Sequence, residues 1–259
     1  MARLKVGVCE CPAELVAGSS DWNGLSRLVS REAPDLFLLN EMPFGPWLAA
    51  TAAFDETKWR GSCKLHEAGL RRLGDLGAGV VAGSRPRELG GRRLNEAFLW
   101  TAAGGANGIH NKQYFPDEEG YYEARWFEAG ERHFRLAAAG PVEVGFLICT
   151  ELMFNEHARH YGRSGAHIIL VPRAVGKGSL RRWLVAMRMA AIVSGTYVLS
   201  SNRSGVDSRG QLFGGAGWII DPEGDLVAQT SSTTPAVFYE IDTEFVRRAQ
   251  REYPCYVVE

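Results

Sequence analysis

Three polar residues stand where the surrounding pattern leads one to expect apolar side chains or plain loop. Cys149 closes the apolar run Val144-Gly145-Phe146-Leu147-Ile148, and Thr150–Glu156 then turns toward a helix. A thiol between a strand and a helix N-terminus meets backbone N–H groups and the positive end of the helix dipole, which both favour thiolate. Such a sulfur attacks carbonyl carbon and forms a thioester. Most free cysteines are small buried hydrophobes, and Cys9, Cys11, Cys63 and Cys255 are read that way. Glu41 ends the run Asp35–Asn40, at the carboxyl end of a strand, where α/β sheets place ligands. Apolar neighbours on both sides suggest a sheltered carboxylate with a raised pKa, able to exchange protons near neutral pH. Lys112 precedes Tyr114 and Phe115 with little neighbouring charge, and a sheltered cation there could hold an oxyanion. Taken singly, each has a plain alternative: a solvated strand end, a packed thiol, a surface lysine.

The elements that must position these residues are short apolar runs alternating with helical patterns. Strands are expected at Leu4–Glu10, Asp35–Glu41, Gly77–Ser84, Glu96–Thr101, Val142–Cys149, His167–Pro172, Thr196–Asn202, Ala216–Asp221 and Val237–Asp242. Continuous runs such as Ile168-Ile169-Leu170-Val171 indicate strands buried on both faces. Helices are expected at Leu25–Glu32, Lys64–Leu76, Asn155–Ser164, Leu180–Ser194 and Phe245–Glu252. Trp183, Leu184, Met187, Ala190 and Ala191 recur at three and four, one apolar helical stripe. Asp221-Pro222-Glu223-Gly224-Asp225 reads as a turn between strands. The class is α/β, in one sheet or two.

No linker or charge run divides the chain, so one domain over residues 1–259 is expected. Lys+Arg 29 against Asp+Glu 30 gives a net charge of −1, which points to neither nucleic acid nor an anionic membrane as partner. No run approaches the roughly 18–20 apolar residues of a membrane helix, and no signal-peptide core opens the chain. Five cysteines at unrelated spacings are a poor disulfide framework, so a cytoplasmic location is expected.

Together the motifs resemble the nitrilase, or carbon–nitrogen hydrolase, superfamily over nearly the whole chain. Asn40-Glu41-Met42-Pro43 looks like its Pro-Glu strand end, and Leu94-Asn95-Glu96-Ala97 like its Tyr-Asn-Thr-Ala strand. Asn111-Lys112-Gln113-Tyr114-Phe115-Pro116 looks like its lysine loop, and Glu123–Gly130 is similar to the segment that follows. Gly145–Cys149 matches the nucleophile strand, and Glu156 a glutamate that is usually structural. Ala166–Pro172, Asn202-Arg203-Ser204-Gly205 and Gly214–Gly224 match the later strands and hairpin.

The resemblance implies an α-β-β-α sandwich, pairing through helical faces into a homodimer or larger homo-oligomer, with no metal and no organic cofactor. It implies that Glu41 takes the proton of Cys149 and returns it to a leaving amine. Lys112 and the backbone N–H of Thr150 would hold the oxyanion, and Glu123 would position the lysine or the substrate. The substrate implied is a small amide or carbamoyl compound. A nitrile, or a silent binding protein of the same fold, are the alternatives. Glu118 and Glu119 lie in a polar turn and are read as solvated.

Two departures bear on the substrate. The arginine often found just after the nucleophile is replaced by Thr150-Glu151, and Val193 stands where many members have glutamate. Arg173 instead follows a strand end; if buried it needs an anion, either Glu151 or Glu123 or a substrate carboxylate, with the internal partner preferred. Phe44, Trp47, Tyr114 and Phe154 suggest an apolar pocket. Arg181, Arg182, His157 and His160 are read as solvated or interface groups. A metal site on Cys149, His157 and His160 lacks zinc-like spacing.

Overall fold

The computed structural model describes residues 3–258. Among the described residues thirteen strands and six α-helices alternate. In order these are β1 (Arg3–Pro12), α1 (Ser20–Glu32), β2 (Leu36–Leu38), α2 (Glu56–Leu70), β3 (Val80–Leu89), β4 (Arg92–Thr101) and β5 (Gly105–Asn111). The middle of the chain adds α3 (Glu123–Trp126), β6 (Ala137–Ala139), β7 (Val142–Phe146), α4 (Asn155–Arg163), β8 (Ile168–Pro172) and α5 (Leu180–Ser194). The last stretch is β9 (Tyr197–Val206), β10 (Leu212–Gly214), β11 (Trp218–Ile220), β12 (Leu226–Gln229), β13 (Ala236–Asp242) and α6 (Thr243–Ala249).

One sheet runs β5-β4-β3-β2-β1-β13 and the other β6-β7-β8-β9-β11-β12. They join where Glu10–Pro12 of β1 pairs in parallel with Asn202–Ser204 of β9. Alternation of side chains explains the layering. Val6 and Val8 of β1 and Leu36 and Leu38 of β2 face a core shared with Val144, Phe146 and Ile169 of the other sheet. Cys9, Cys11, Phe37 and Leu39 face the opposite way, onto Trp22, Leu25 and Val29 of α1. Helix α5 covers the second sheet with the expected stripe, of which Trp183, Met187, Ala190 and Ala191 are buried. The order is therefore helices, sheet, sheet, helices, the α-β-β-α sandwich. Among the described residues no helix is long and apolar enough to cross a membrane.

Several bounds differ from expectation for local reasons. Helix α2 begins at Glu56, not Lys64, because the Asp55 side chain accepts from the Lys58 N–H at 3.0 Å and caps it. It stops at Leu70, and a separate 3₁₀ turn covers Leu73–Leu76. Helices α1 and α6 likewise start earlier, on caps from Ser19 and Asp242. Strand β3 runs on through Pro86: beyond Ala82 it has no partner on the β2 side, so the missing N–H goes unneeded. Strand β5 was not expected, since Gly105, Asn107 and Gly108 dilute its signal. The turn at Asp221 is as read, with its Oδ1 accepting from the Glu223 and Asp225 N–H groups at 3.0 and 2.9 Å.

Candidate active site

The carboxyl ends of the parallel strands β1, β2, β7, β8 and β9 gather along one rim, and the polar residues of interest lie there. Glu41 follows β2 by three residues and is fully buried. Its Oε1 accepts from Lys112 Nζ at 2.8 Å and from Asn95 Nδ2 at 2.8 Å. Its Oε2 is buried and has no hydrogen-bond partner. Arg203 fixes the loop beneath: its guanidinium donates to the carbonyls of Glu41 at 3.3 Å, Gly45 at 2.9 Å, Ala13 and Met42. Burial pulls Arg203 down to about 10.

Lys112 directly follows β5, and its N–H donates to the Asn95 carbonyl at 2.9 Å. Nζ reaches Glu123 Oε2 at 2.6 Å as well as Glu41, and all three side chains are buried. Burial opposes the ammonium, but Glu123 and Glu41 outweigh it and hold the lysine above its usual range. Glu123 opens the short helix α3. Burial pushes its carboxyl up to about 8 against the pull of Lys112, with Glu41 adding to the rise.

Cys149 opens a 3₁₀ turn, Cys149–Met153, in the left-handed region at φ +49°, which few non-glycine residues adopt. It is 4 % exposed. The expectation of a resting thiolate is overturned. Burial and the charge of Glu41 push the thiol well up, and Lys112 and the Ala174 backbone only partly offset them. The resting thiol thus keeps its proton, and any attack by the sulfur would need a base to remove it. The Thr150 N–H lies in the first turn of this helix, where N–H groups lack intrahelical partners.

Cys149 and Glu123 line a cleft of about 550 Å³ with Thr150, Tyr121, Trp183 and Val175. Asp117, Glu118 and Arg182 stand at its exposed rim, so Glu118 and Arg182 belong to the cleft rather than to remote solvated faces. Of the expected binding residues, only Thr150 lines it. Phe44 lies under α2, where Gly69 leaves room for its ring; a Cβ there would come within 2.2 Å. Trp47 packs behind Tyr121 at 6.2 Å between ring centroids. Tyr114 and Phe154 stack on each other at 4.2 Å, in an aromatic group with Phe134 and His157. Their sequence positions near Glu41, Lys112 and Cys149 suggested the pocket, but packing takes them elsewhere.

Arg173 is fully buried, as a pocket-flanking residue would be, but neither expected carboxylate meets it. Glu123 is held by Lys112, and Glu151 by His110 Nε2 at 2.8 Å. Arg173 donates instead to Ser200 Oγ and the Ala216 carbonyl, both at 2.6 Å, and lies 4.1 Å over the Trp218 ring. Hydroxyl, carbonyl and indole stand where an anion was expected, Nη1 is left buried without a partner, and burial lowers the group to about 9. His157 and His160 are turned to the Tyr114 hydroxyl and the Phe134 carbonyl, not to Cys149. Among the described residues no three His, Cys, Asp or Glu side chains converge as a metal site. Sequence reasoning missed Asn95, Tyr121, Trp183 and Arg203 as site residues. Asn95 and Arg203 sat inside the quoted motifs, which was their only signal. The Tyr121 phenol is pushed by burial to about 12.

The cluster makes stability depend on pH in a definite direction. A carboxyl raised from 4.5 to about 8 in the folded chain contributes stability that is complete below 4.5 and lost as pH rises through 8. Buried His66, lowered from 6.5 to about 4, acts oppositely: its contribution is complete above 6.5 and lost as pH falls through 4. Between pH 6.5 and 8 only Glu123 should act, with a slope of at most about 1.4 kcal/mol per pH unit. Urea unfolding of wild type and Glu123→Gln across that window should show the decline in wild type only. Parallel curves would count against a neutral Glu123.

A family model described as carbon-nitrogen hydrolase matches residues 14–251. A citrullinase from Francisella tularensis is 28% identical over 155 residues, 56% of this chain and 54% of that protein, so the match spans about half of the relative. An N-carbamoylputrescine amidase from Arabidopsis thaliana is 25% identical over 247 residues, 88% of this chain and 82% of the relative. The crystal structure of a carbon–nitrogen hydrolase from Helicobacter pylori G27 superposes with a TM-score of 0.86 at 21% identity, covering 98% of this chain and 94% of that one. That last likeness speaks to the fold.

Proposed function

From a chain that belongs to the carbon–nitrogen hydrolase family, we infer an enzyme that hydrolyses the C–N bond of a small amide or carbamoyl compound through a thioester on Cys149. The observation that carries the reading is the state of Glu41. One oxygen is fixed by Lys112 and Asn95, and the other is buried and unpartnered, free to accept a proton. A raised thiol with a base beside it suits proton transfer coupled to attack.

In this reading the Cys149 sulfur bonds to the substrate carbon as Glu41 takes the thiol proton. The carbonyl oxygen gathers the displaced electron pair and is held by Lys112 and the Thr150 N–H. The C–N bond then breaks, with Glu41 protonating the departing ammonia or amine. Water, deprotonated by Glu41, attacks the thioester, and the thiol leaves with the proton. Glu123 keeps Lys112 in place. Relatives named citrullinase and N-carbamoylputrescine amidase support a ureido or amide substrate. Arg173 donates to Ser200 and Ala216, keeps a buried Nη1 without a partner and lies outside the cleft lining, and it is not proposed as a clamp for a substrate carboxylate.

Five free thiols support a reducing, cytoplasmic setting. Val185, Met189 and Ile192 stay exposed on the outward side of α5, a helical face suited to a homodimer. An ammonia-release screen over amides, ureas and nitriles, with Cys149→Ala as blank, tests the activity. Turnover of amides or ureas is expected; release from nitriles alone, or none above the blank, would overturn it.

A further inference from the structure

Glu151 is fully buried and makes four contacts. Its Oε1 accepts from the Gln113 N–H at 2.7 Å and faces His110 Nε2 at 3.0 Å. Its Oε2 accepts from the Ile148 N–H at 2.8 Å and faces the same Nε2 at 2.8 Å. Gln113 is the residue after Lys112, and Ile148 the residue before Cys149. His110 lies two residues before Lys112, and Glu151 two after Cys149. One buried carboxylate thus joins the two chain segments that carry the cation and the nucleophile, 37 positions apart by the difference 149 − 112.

The ring of His110 has its own bookkeeping. Nε2 faces a carboxylate, and Nδ1 lies 3.3 Å from the His133 carbonyl, which can only accept. The ring is thus anchored at both nitrogens, to the carboxylate and to the His133 carbonyl. Phe134 covers the ring at 5.0 Å between centroids. The bridge stands next to the left-handed backbone at Cys149, a conformation that persists only where its surroundings impose it.

We propose that His110 and Glu151 are a positioning pair that locks the lysine segment to the nucleophile turn, so that Cys149 and Lys112 are presented to one substrate carbon in fixed register. Neither residue lines the cleft. The proposal rests on Cys149 as nucleophile, and its test separates the two.

The variants are His110→Phe, which keeps a ring against Phe134 but loses the donor, Glu151→Gln, which keeps the shape but loses the charge, and His110→Gln, which keeps a donor of similar reach. Misplacement of reacting groups by an ångström costs on the order of 10²-fold. His110→Phe and Glu151→Gln should therefore lose roughly 30–100-fold in kcat with KM changed by less than about threefold. Alkylation of Cys149 by iodoacetamide, followed by mass spectrometry, should slow by about tenfold, and His110→Gln should recover most of both losses. Circular dichroism and urea titration report folding separately. A folded His110→Phe with wild-type kcat and alkylation rate would overturn the pairing, and so would His110→Gln falling as far as His110→Phe. Wild-type turnover in a folded Cys149→Ala protein would instead overturn the catalytic reading.

Discussion

A Cys149→Ala protein is expected to fold like wild type and to turn over substrate about 10⁴-fold more slowly or worse. The fold should survive because the change removes one sulfur atom, and Ile148 and Glu151 still hold the turn. Alanine meets the left-handed φ no worse than cysteine does. Activity should not survive, because none of the other four cysteines lines the cleft. A slowly deacylating substrate should add its acyl mass to Cys149 and to no other cysteine. Residual turnover within tenfold of wild type, or an adduct on Cys63 alone, would remove Cys149 from the mechanism.

Glu41→Gln should lose about 10²–10⁴-fold in kcat, because the general base and general acid are the same group. Glutamine preserves the volume and an oxygen for Asn95 and Lys112, so the effect isolates proton transfer. Lys112→Ala is a less clean probe. It leaves the buried Glu41 carboxylate without its cation, and breaking such a pair costs roughly 3–5 kcal/mol of stability. Adding Cys149→Ala to Glu41→Gln should cost little more, since groups acting in one step are not additive. Full additivity would show that they act separately.

Glu41 and Cys149 end apolar runs and Lys112 precedes aromatic residues, but each signal alone was weak, and only the order of motifs along the chain joined the three. Glu123 emerged only through family resemblance, and the structure places it on Lys112. Asn95, Tyr121 and Trp183 gave no comparable sign, since what brings them to the cleft is pairing and packing over long separations. Phe44 shows the reverse error: three residues from Glu41, it is drawn away by the space at Gly69. Arg173 shows a limit of charge counting, because a buried guanidinium that looks as if it requires a carboxylate is met by a hydroxyl, a carbonyl and an indole, with Nη1 left unpartnered. The thiol shows another: a helix start argues for thiolate, but burial and an adjacent glutamate outweigh it. The α/β class followed from continuous apolar runs and the layering from the family resemblance, whereas β5 and the start of α2 depended on a register and a cap that periodicity does not report.

The position of β1 also sets a timetable for synthesis. Its neighbours are β2, near residue 36, and β13, near residue 240, with β9 beside its carboxyl end. During translation one hydrogen-bonding edge of β1 must therefore wait open until nearly the whole chain has emerged, a high-contact-order topology of the kind that folds slowly and exposes strand edges meanwhile. The loop that carries Glu41 waits almost as long, for the guanidinium of Arg203. All the proposed reacting side chains are made within the first 149 residues, yet a ribosome-bound fragment of that length would lack the strand and the cation that set Glu41 in place. Catalytic competence should thus appear late and in one step, after the sequence that encodes the chemistry has long been complete.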